Sequence, residues 1–373
     1  MFVLCIASNY DSAMGALNNT ETFNNPKKIV EGWYWALRSG ELKKGKAKPL
    51  NFLGKELVIF RTEGGQVVAM DAYCPHMGAH LAEGQVEGES IRCLFHHWKF
   101  SADGNCTDIP CQKSSAGVKR QRVWPAEEKY GLIWIWTGLA PRCPIPDAPE
   151  LEGKPHDYWL GSRFQKNCHP NVMMINAIDA QHFNSVHRMP IPLELEAKAV
   201  HENRIAFDNV TKMPKNSGLL RFLAQFYLER ITYDLCYWFG STGSVTLGPD
   251  FLHFYIIFAL RPTAEGKSEG QTILVTARRS GFFGKLVNRA LLFLTAVVGN
   301  YFAKGDTIIF KTIRFDFGTP IKADHAIIRF IQHVEAQSTV AWGTWLASSI
   351  SGVEKQTEPH PRDRATTPAE IFN

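Results

Sequence analysis

The 373-residue sequence has no block of lysine and arginine, no evenly spaced cysteine framework, and no charge-free apolar run long enough to cross a bilayer. Its 41 basic and 36 acidic residues are spread along the chain, leaving a net charge of +5. That distribution argues against nucleic acid as a partner and is compatible with docking of a negatively charged redox protein. Eight cysteines without regular spacing read as reduced thiols and metal ligands, not as a disulfide scaffold. The opening MFVLCIASNYDSAMG has a short apolar run with no basic residues before it, so export is not expected and the expected compartment is cytoplasmic or organellar. The most apolar stretch, residues 282–302, is charge-free only from Ala290 to Val298. With Lys285, Asn288 and Arg289 on its first turns, it reads as a buried helix in preference to a membrane anchor.

What is present is a folded chain, 45% apolar, longer than a single core usually needs. Residues 1–28 lack periodicity and read as a loose tail, and the polar, proline-rich residues 351–373 read as another. From about residue 29 to 145, short β-rich runs such as KELVIFRT, QVVAMDA, IRCLF and YGLIWIWTG alternate with turns, which predicts an antiparallel β domain. PRCPIPDAPELEGKP, residues 141–155, holds five prolines and marks the boundary. Residues 146–350 then mix strand-like runs (FLHFYIIFAL, GQTILVTARR) with helical signals at 171–188, at 282–303 and in DHAIIRFIQHVEAQ. The expected class is α+β.

The chemistry begins at CPHMGAHLAEGQVEGESIRCLFHHWKF, residues 74–100. Cys74-Pro-His76 and Cys93-Leu-Phe-His96 form a C-x-H and a C-x-x-H pair, with 16 residues from Met77 to Arg92 between them. A Cys2His2 set also suits structural zinc, but zinc modules usually place both cysteines in one loop and both histidines in another. One cysteine and one histidine per loop is the pattern of a Rieske [2Fe-2S] centre, where two thiolates hold one iron and two imidazoles the other. His80 and His97 are then spare, flanking residues.

A second constellation lies in NAIDAQHFNSVH, residues 176–187. Asp179 and His182 share a helical face, whereas His182 and His187 stand about 140° apart on an ideal helix. They meet at one metal only where that helix bends or unwinds. Two histidines and a distant carboxylate make the facial triad of non-haem Fe(II) proteins, with open positions for dioxygen.

On Cys74, His76, Cys93, His96 and the D-x-x-H-x4-H run of Asp179, His182 and His187, the chain resembles the Rieske non-haem iron oxygenase α subunits over residues 30 to about 340. Ala79 and Phe95 stand where high-potential Rieske proteins carry a disulfide, which points to the oxygenase type. The resemblance implies a Rieske domain followed by a catalytic domain on a helix-grip type antiparallel sheet. It also implies a third iron ligand downstream, for which Asp306 is favoured over Asp316 and Asp324, with Phe310 where tryptophan or methionine is often found. It further implies a homotrimer in which Asp179 links His182 to a neighbour's His96, with electrons drawn from NAD(P)H through a separate ferredoxin or flavin reductase. WYWALRSGELK and DAQHFNSVHRMPI are most similar to aminopyrrolnitrin oxygenase members, and CPHMGAHLAEGQVEGESIRC to steroid- and sterol-oxidising ones. Both suggest a bulky apolar substrate, and monooxygenation with O2, at carbon or nitrogen, is expected over cis-dihydroxylation. Asn176 is a candidate catalytic residue; Met173, Met174, Phe183 and Asn184, with Phe254 or Tyr255, are candidate substrate walls. The alternative is an electron-transfer protein whose second site holds no iron.

Overall fold

The computed structural model describes residues 20–115, 117–189, 193–215, 218–340 and 342. Three antiparallel sheets build the first part of the chain. One orders Val123–Trp124, Val67–Asp71, Lys55–Arg61 and Lys46–Phe52; a second orders Ala126–Lys129, Leu132–Trp136 and Trp33–Arg38. The third is a meander of four short strands, from Gln85–Glu87 to Cys106–Asp108.

The runs WYWAL and LIWIW are apolar without interruption because both faces of their strands are covered. Side chains alternate along a strand. Trp33, Trp35, Leu132, Trp134 and Trp136 therefore join the core of the second part of the chain, while Tyr34, Ala36, Ile133 and Ile135 join a separate core of the first. The proline-rich boundary segment seals this seam: Ile145, Ala148 and Leu151 are buried there, and Asp147 accepts from Lys129 and Tyr130.

The second part centres on a seven-stranded antiparallel sheet running from His156–Lys166 at one edge to Leu195–His201 at the other. The helices Pro170–Ile178 and His325–Glu335 pack on it through Val172, Met174, Ile175, Phe330, Ile331 and Val334. Tyr233 and Tyr237 hydroxyls rise from the sheet to donate to the Ala177 and Met174 carbonyls, each at 2.9 Å, which fixes the first helix in place. The architecture is the α+β arrangement expected of the sequence.

Three local expectations change. Residues 1–19 of the expected N-terminal tail lie outside the described residues, as does the tail 351–373. Residues 20–28 are held down: Phe23 is fully buried, and the Thr22 and Phe23 amides donate to the Glu335 carboxylate. The β-strand expected through IRCLF stops at Arg92, because Cys93 turns to donate its amide to the Trp98 carbonyl.

The third change is the largest. Residues 282–302 belong to a 32-residue helix, Gly281–Thr312, which is not a buried helix. Over its most apolar 18 residues only 17% are buried. It rests on the sheet by one face, through Leu292 against Ile256 and Leu274.

Candidate metal centres

Two loops with the same turn present the first set of side chains. The Cys74 amide donates to the Ala79 carbonyl at 2.8 Å, and the Cys93 amide to the Trp98 carbonyl at 2.9 Å, so each cysteine closes its own loop five residues on. Four residues after each cysteine the backbone is left-handed, at Gly78 (φ 75°) and His97 (φ 59°). Cys74 and Cys93 are 4% and 3% exposed, set among Phe60, Met70, Leu81, Ile91 and Phe100. Burial pushes the Cys74 thiol up to about 11, with Cys93 beside it, so a bound cation would be needed to hold Cys74 as a thiolate.

His76 and His96 point the other way. Both are exposed, with ring centroids 4.6 Å apart, and the Trp98 ring stacks on His76 at 4.2 Å. Met77, Leu94 and Phe95, each more than half exposed, rim them. His80 is occupied elsewhere: its Nδ1 accepts from the Ala82 amide and caps a short 3-10 helix. Among the described residues, only His182, His187 and Asp306 gather three donor atoms within 4.8 Å of one another. A single tetrahedral zinc would gather its donors that tightly. Two buried sulfurs and two outward imidazoles spread more widely suit the two irons of a [2Fe-2S] cluster.

The second set is built on a broken helix. Helix Pro170–Ile178 stops at Asp179, and a new helix, Ala180–Ser185, starts there. Asp179 Oδ1 caps it by accepting from the Gln181 and His182 amides at 2.9 and 3.1 Å. The helix ends at Ser185, before His187, and the chain turns back through Arg188 (φ 52°). The unwinding needed to bring the two histidines together is therefore present. His182 Nε2 lies 3.0 Å from His187 Nε2 and 2.8 Å from Asp306 Oδ1, and His187 Nε2 lies 3.2 Å from the same oxygen.

At separations of 2.8–3.2 Å the three donor atoms lie close enough together for one metal ion to touch all of them. Both histidines are more than nine-tenths buried. Burial lowers the His187 pKa, against the opposing pull of Asp306, and so favours the neutral imidazole that a metal requires.

Asp306 lies within the long helix, which runs past the helical signal expected at 282–303 and on to Thr312. The rival acids are placed elsewhere. Asp316 is exposed; Asp324 accepts from Gln181 Nε2 and from the Ile321 amide at the start of the next helix. Phe310 is buried in the main core.

The other expected residues divide. Phe183 is buried with its ring 5.7 Å from that of His187, and Met173 is half-buried against the main core. Met174 belongs to the core itself; half-buried Asn176 has an unpartnered, buried Nδ2. Asn184, expected in a substrate wall, is at the surface and turns its amide back to Ala180 O. Phe254 is half-buried, and the Tyr255 hydroxyl is tied to Glu150.

Sequence reasoning missed two neighbours of the triad. Phe302 packs edge-on against His187 at 5.0 Å, and Gly305 admits that ring: a Cβ there would lie 3.3 Å from His187 Cε1. Their signal was present, since Phe302 precedes Asp306 by one helical turn and shares its face.

Residues 32–125 match the Rieske [2Fe-2S] domain family. The chain is 38% identical over 271 residues to cholesterol 7-desaturase nvd of Drosophila melanogaster, covering 70% of this chain and 58% of that one. It is 33% identical over 173 residues to aminopyrrolnitrin oxygenase PrnD of Pseudomonas fluorescens, covering 44% and 47%. The chain thus spans about half the length of these relatives. The oxygenase of a carbazole 1,9a-dioxygenase–ferredoxin complex superposes with a TM-score of 0.61 at 14% identity, over 93% of this chain and 99% of that one. The chain therefore carries a Rieske [2Fe-2S] domain over residues 32–125 and shares the fold of the oxygenase in the carbazole 1,9a-dioxygenase–ferredoxin complex.

Proposed function

We propose that this chain is the terminal oxygenase of a multicomponent system, using O2 and reducing equivalents from a separate reductase to monooxygenate a bulky apolar small molecule. The observation that carries the reading is the convergence of His182, His187 and Asp306, a two-histidine, one-carboxylate set whose donor atoms lie within 3.2 Å of one another and would suit an Fe(II). In it, Cys74 and Cys93 would hold one iron of the cluster, His76 and His96 the other, and His182, His187 and Asp306 an Fe(II). Bound there, that iron supplies dioxygen activation, with electrons delivered through the cluster.

The chain's own residues do the rest. Phe183 and Phe302 close apolar walls around His187 and keep water from the metal face. Asp179 spends Oδ1 on the helix cap, and among the described residues Oδ2 has no recorded partner. In a head-to-tail homotrimer that oxygen orients His182 towards His96 of a neighbour, whose exposed ring and apolar rim form the matching surface. The redox partner is a ferredoxin or flavin reductase drawing on NAD(P)H. The seven described cysteines are all unpaired, which supports a reducing compartment such as the cytoplasm.

For the substrate, a sterol-like molecule is favoured over an arylamine, because similarity to the sterol desaturase extends over 70% of the chain against 44% for the arylamine oxygenase. Metal analysis of anaerobically purified protein, followed by turnover of sterols and arylamines with a surrogate reductase, tests the reading. About three irons and two sulfides per chain are expected. Two irons with two sulfides and no turnover of either class would move the chain to the electron-transfer alternative.

A further inference from the structure

The long helix Gly281–Thr312 is turned inside out relative to a surface helix of a water-soluble protein. A step of 100° per residue places Phe282, Leu286, Phe293, Val297, Tyr301 and Ile308 within an arc of about 100°. All six are between 49% and 78% exposed. The opposite arc, against the sheet, holds Asn288, Leu292, Thr295 and Phe310. Its polar members are satisfied there: Asn288 donates to Asp157 at 2.7 Å, and Thr295 to the Leu291 carbonyl at 2.8 Å. The inner face thus anchors the helix, and the outer stripe adds nothing to that anchoring. From Phe282 to Ile308 the stripe runs about 39 Å, far beyond an isolated surface leucine.

Charge selects the occupant. Residues 270–305 contain Arg278, Arg279, Lys285, Arg289 and Lys304, and no aspartate or glutamate. Lys285 and Arg289 are exposed along one edge of the stripe, and exposed Lys304 falls within it. A second copy laid on the stripe about a two-fold axis would set these cations against their own kind, in an interface centre that usually excludes lysine. An anionic lipid surface takes both features together: the aromatic and aliphatic side chains enter the acyl boundary, and the basic side chains reach the headgroups.

We propose that the outer face of Gly281–Thr312 docks the protein, lying flat, on an anionic phospholipid membrane. Asp306 sits on the opposite arc of the same helix, so docking places the metal site one helix thickness from the lipid. The docking does not rest on the proposed activity, because vesicle binding is read without turnover.

The test is co-sedimentation of the full-length, cluster-loaded protein with vesicles of phosphatidylcholine alone or mixed with phosphatidylserine. The protein is expected to pellet with the mixed vesicles and much less with neutral ones. The variant Phe282→Ser/Phe293→Ser/Tyr301→Ser should lose about tenfold or more in affinity while keeping its cluster spectrum. Should that variant misfold, Lys285→Glu/Arg289→Glu gives a second reading, expected to abolish the preference for phosphatidylserine. Failure of the intact protein to bind either vesicle overturns the proposal. So does a serine variant that shifts to a smaller assembly in size-exclusion chromatography with vesicle binding unaltered, which would make the stripe a subunit interface.

Discussion

His182 Nε2 and His187 Nε2 lie 3.0 Å apart although they stand five positions apart in sequence. In a continuous helix those positions are rotated by about 140° and separated by about 7.5 Å of rise. The contact is possible because the short helix holding His182 ends at Ser185, before His187. The site is therefore a product of where helices stop.

Removing a triad donor should separate the two centres. In His187→Ala or Asp306→Ala, iron is expected to fall to about two per chain with sulfide unchanged at two. Turnover should drop on the order of 100-fold or more. Iron and sulfide analysis beside the visible spectrum reads this, and full iron retention in both variants would remove them from the ligand set.

Asp179 has a structural role and a proposed electronic one, and two substitutions divide them. Asp179→Ala loses the helix cap and should cost about 1 kcal/mol of stability together with turnover. Asp179→Asn keeps an oxygen for the Gln181 and His182 amides. It should melt near the parent temperature and still lose turnover, with both metals retained. Normal turnover in the asparagine variant would refute the bridging role.

Gly305→Val tests the close approach of the long helix to His187. A branched side chain there meets His187 Cε1 and Val186 Cγ1, each already 3.3 Å from the Cβ position. Affinity of the second site for iron should fall about 10- to 100-fold, leaving the cluster untouched. Equilibrium iron titration of protein stripped of its labile iron is the measurement.

Acid stability should carry the mark of two buried histidines. Burial lowers His169 and His333 from 6.5 to about 4, with Arg329 adding to the effect at His333, and the Nε2 of each has no partner. The unfolded chain binds more protons than the folded one between those values. Their contribution is complete above pH 6.5, declines as pH falls, and is lost by about 4. Chemical denaturation across that range should show a shallower decline in His333→Phe than in the parent.

Much was legible because it is local. The ligand loops announce themselves, since cluster chemistry demands cysteine and histidine at fixed short spacings, and D-x-x-H-x4-H does so again. Strand runs such as LIWIW and the amphipathic HAIIRFIQHVE were readable from periodicity. The long helix was misjudged because periodicity reveals that a helix has an apolar face but not what that face meets. The surface position of Asn184 was not legible for the same reason: a place beside Phe183 in sequence does not say which way the helix turns a side chain.

The donor types, the loop spacings, the break-prone Asp179 segment and the antiparallel β character were readable along the chain, because each depends on neighbours within a few residues. Which carboxylate comes to lie beside His182 and His187 was settled by the fold. Asp306 is 119 residues beyond His187 in number, and it is chosen because Gly305 lets the long helix settle against that ring while Asp324 is spent on Gln181 and a helix start. Such choices depend on how sheets and helices stack across long separations, where burial and steric fit outweigh local pattern.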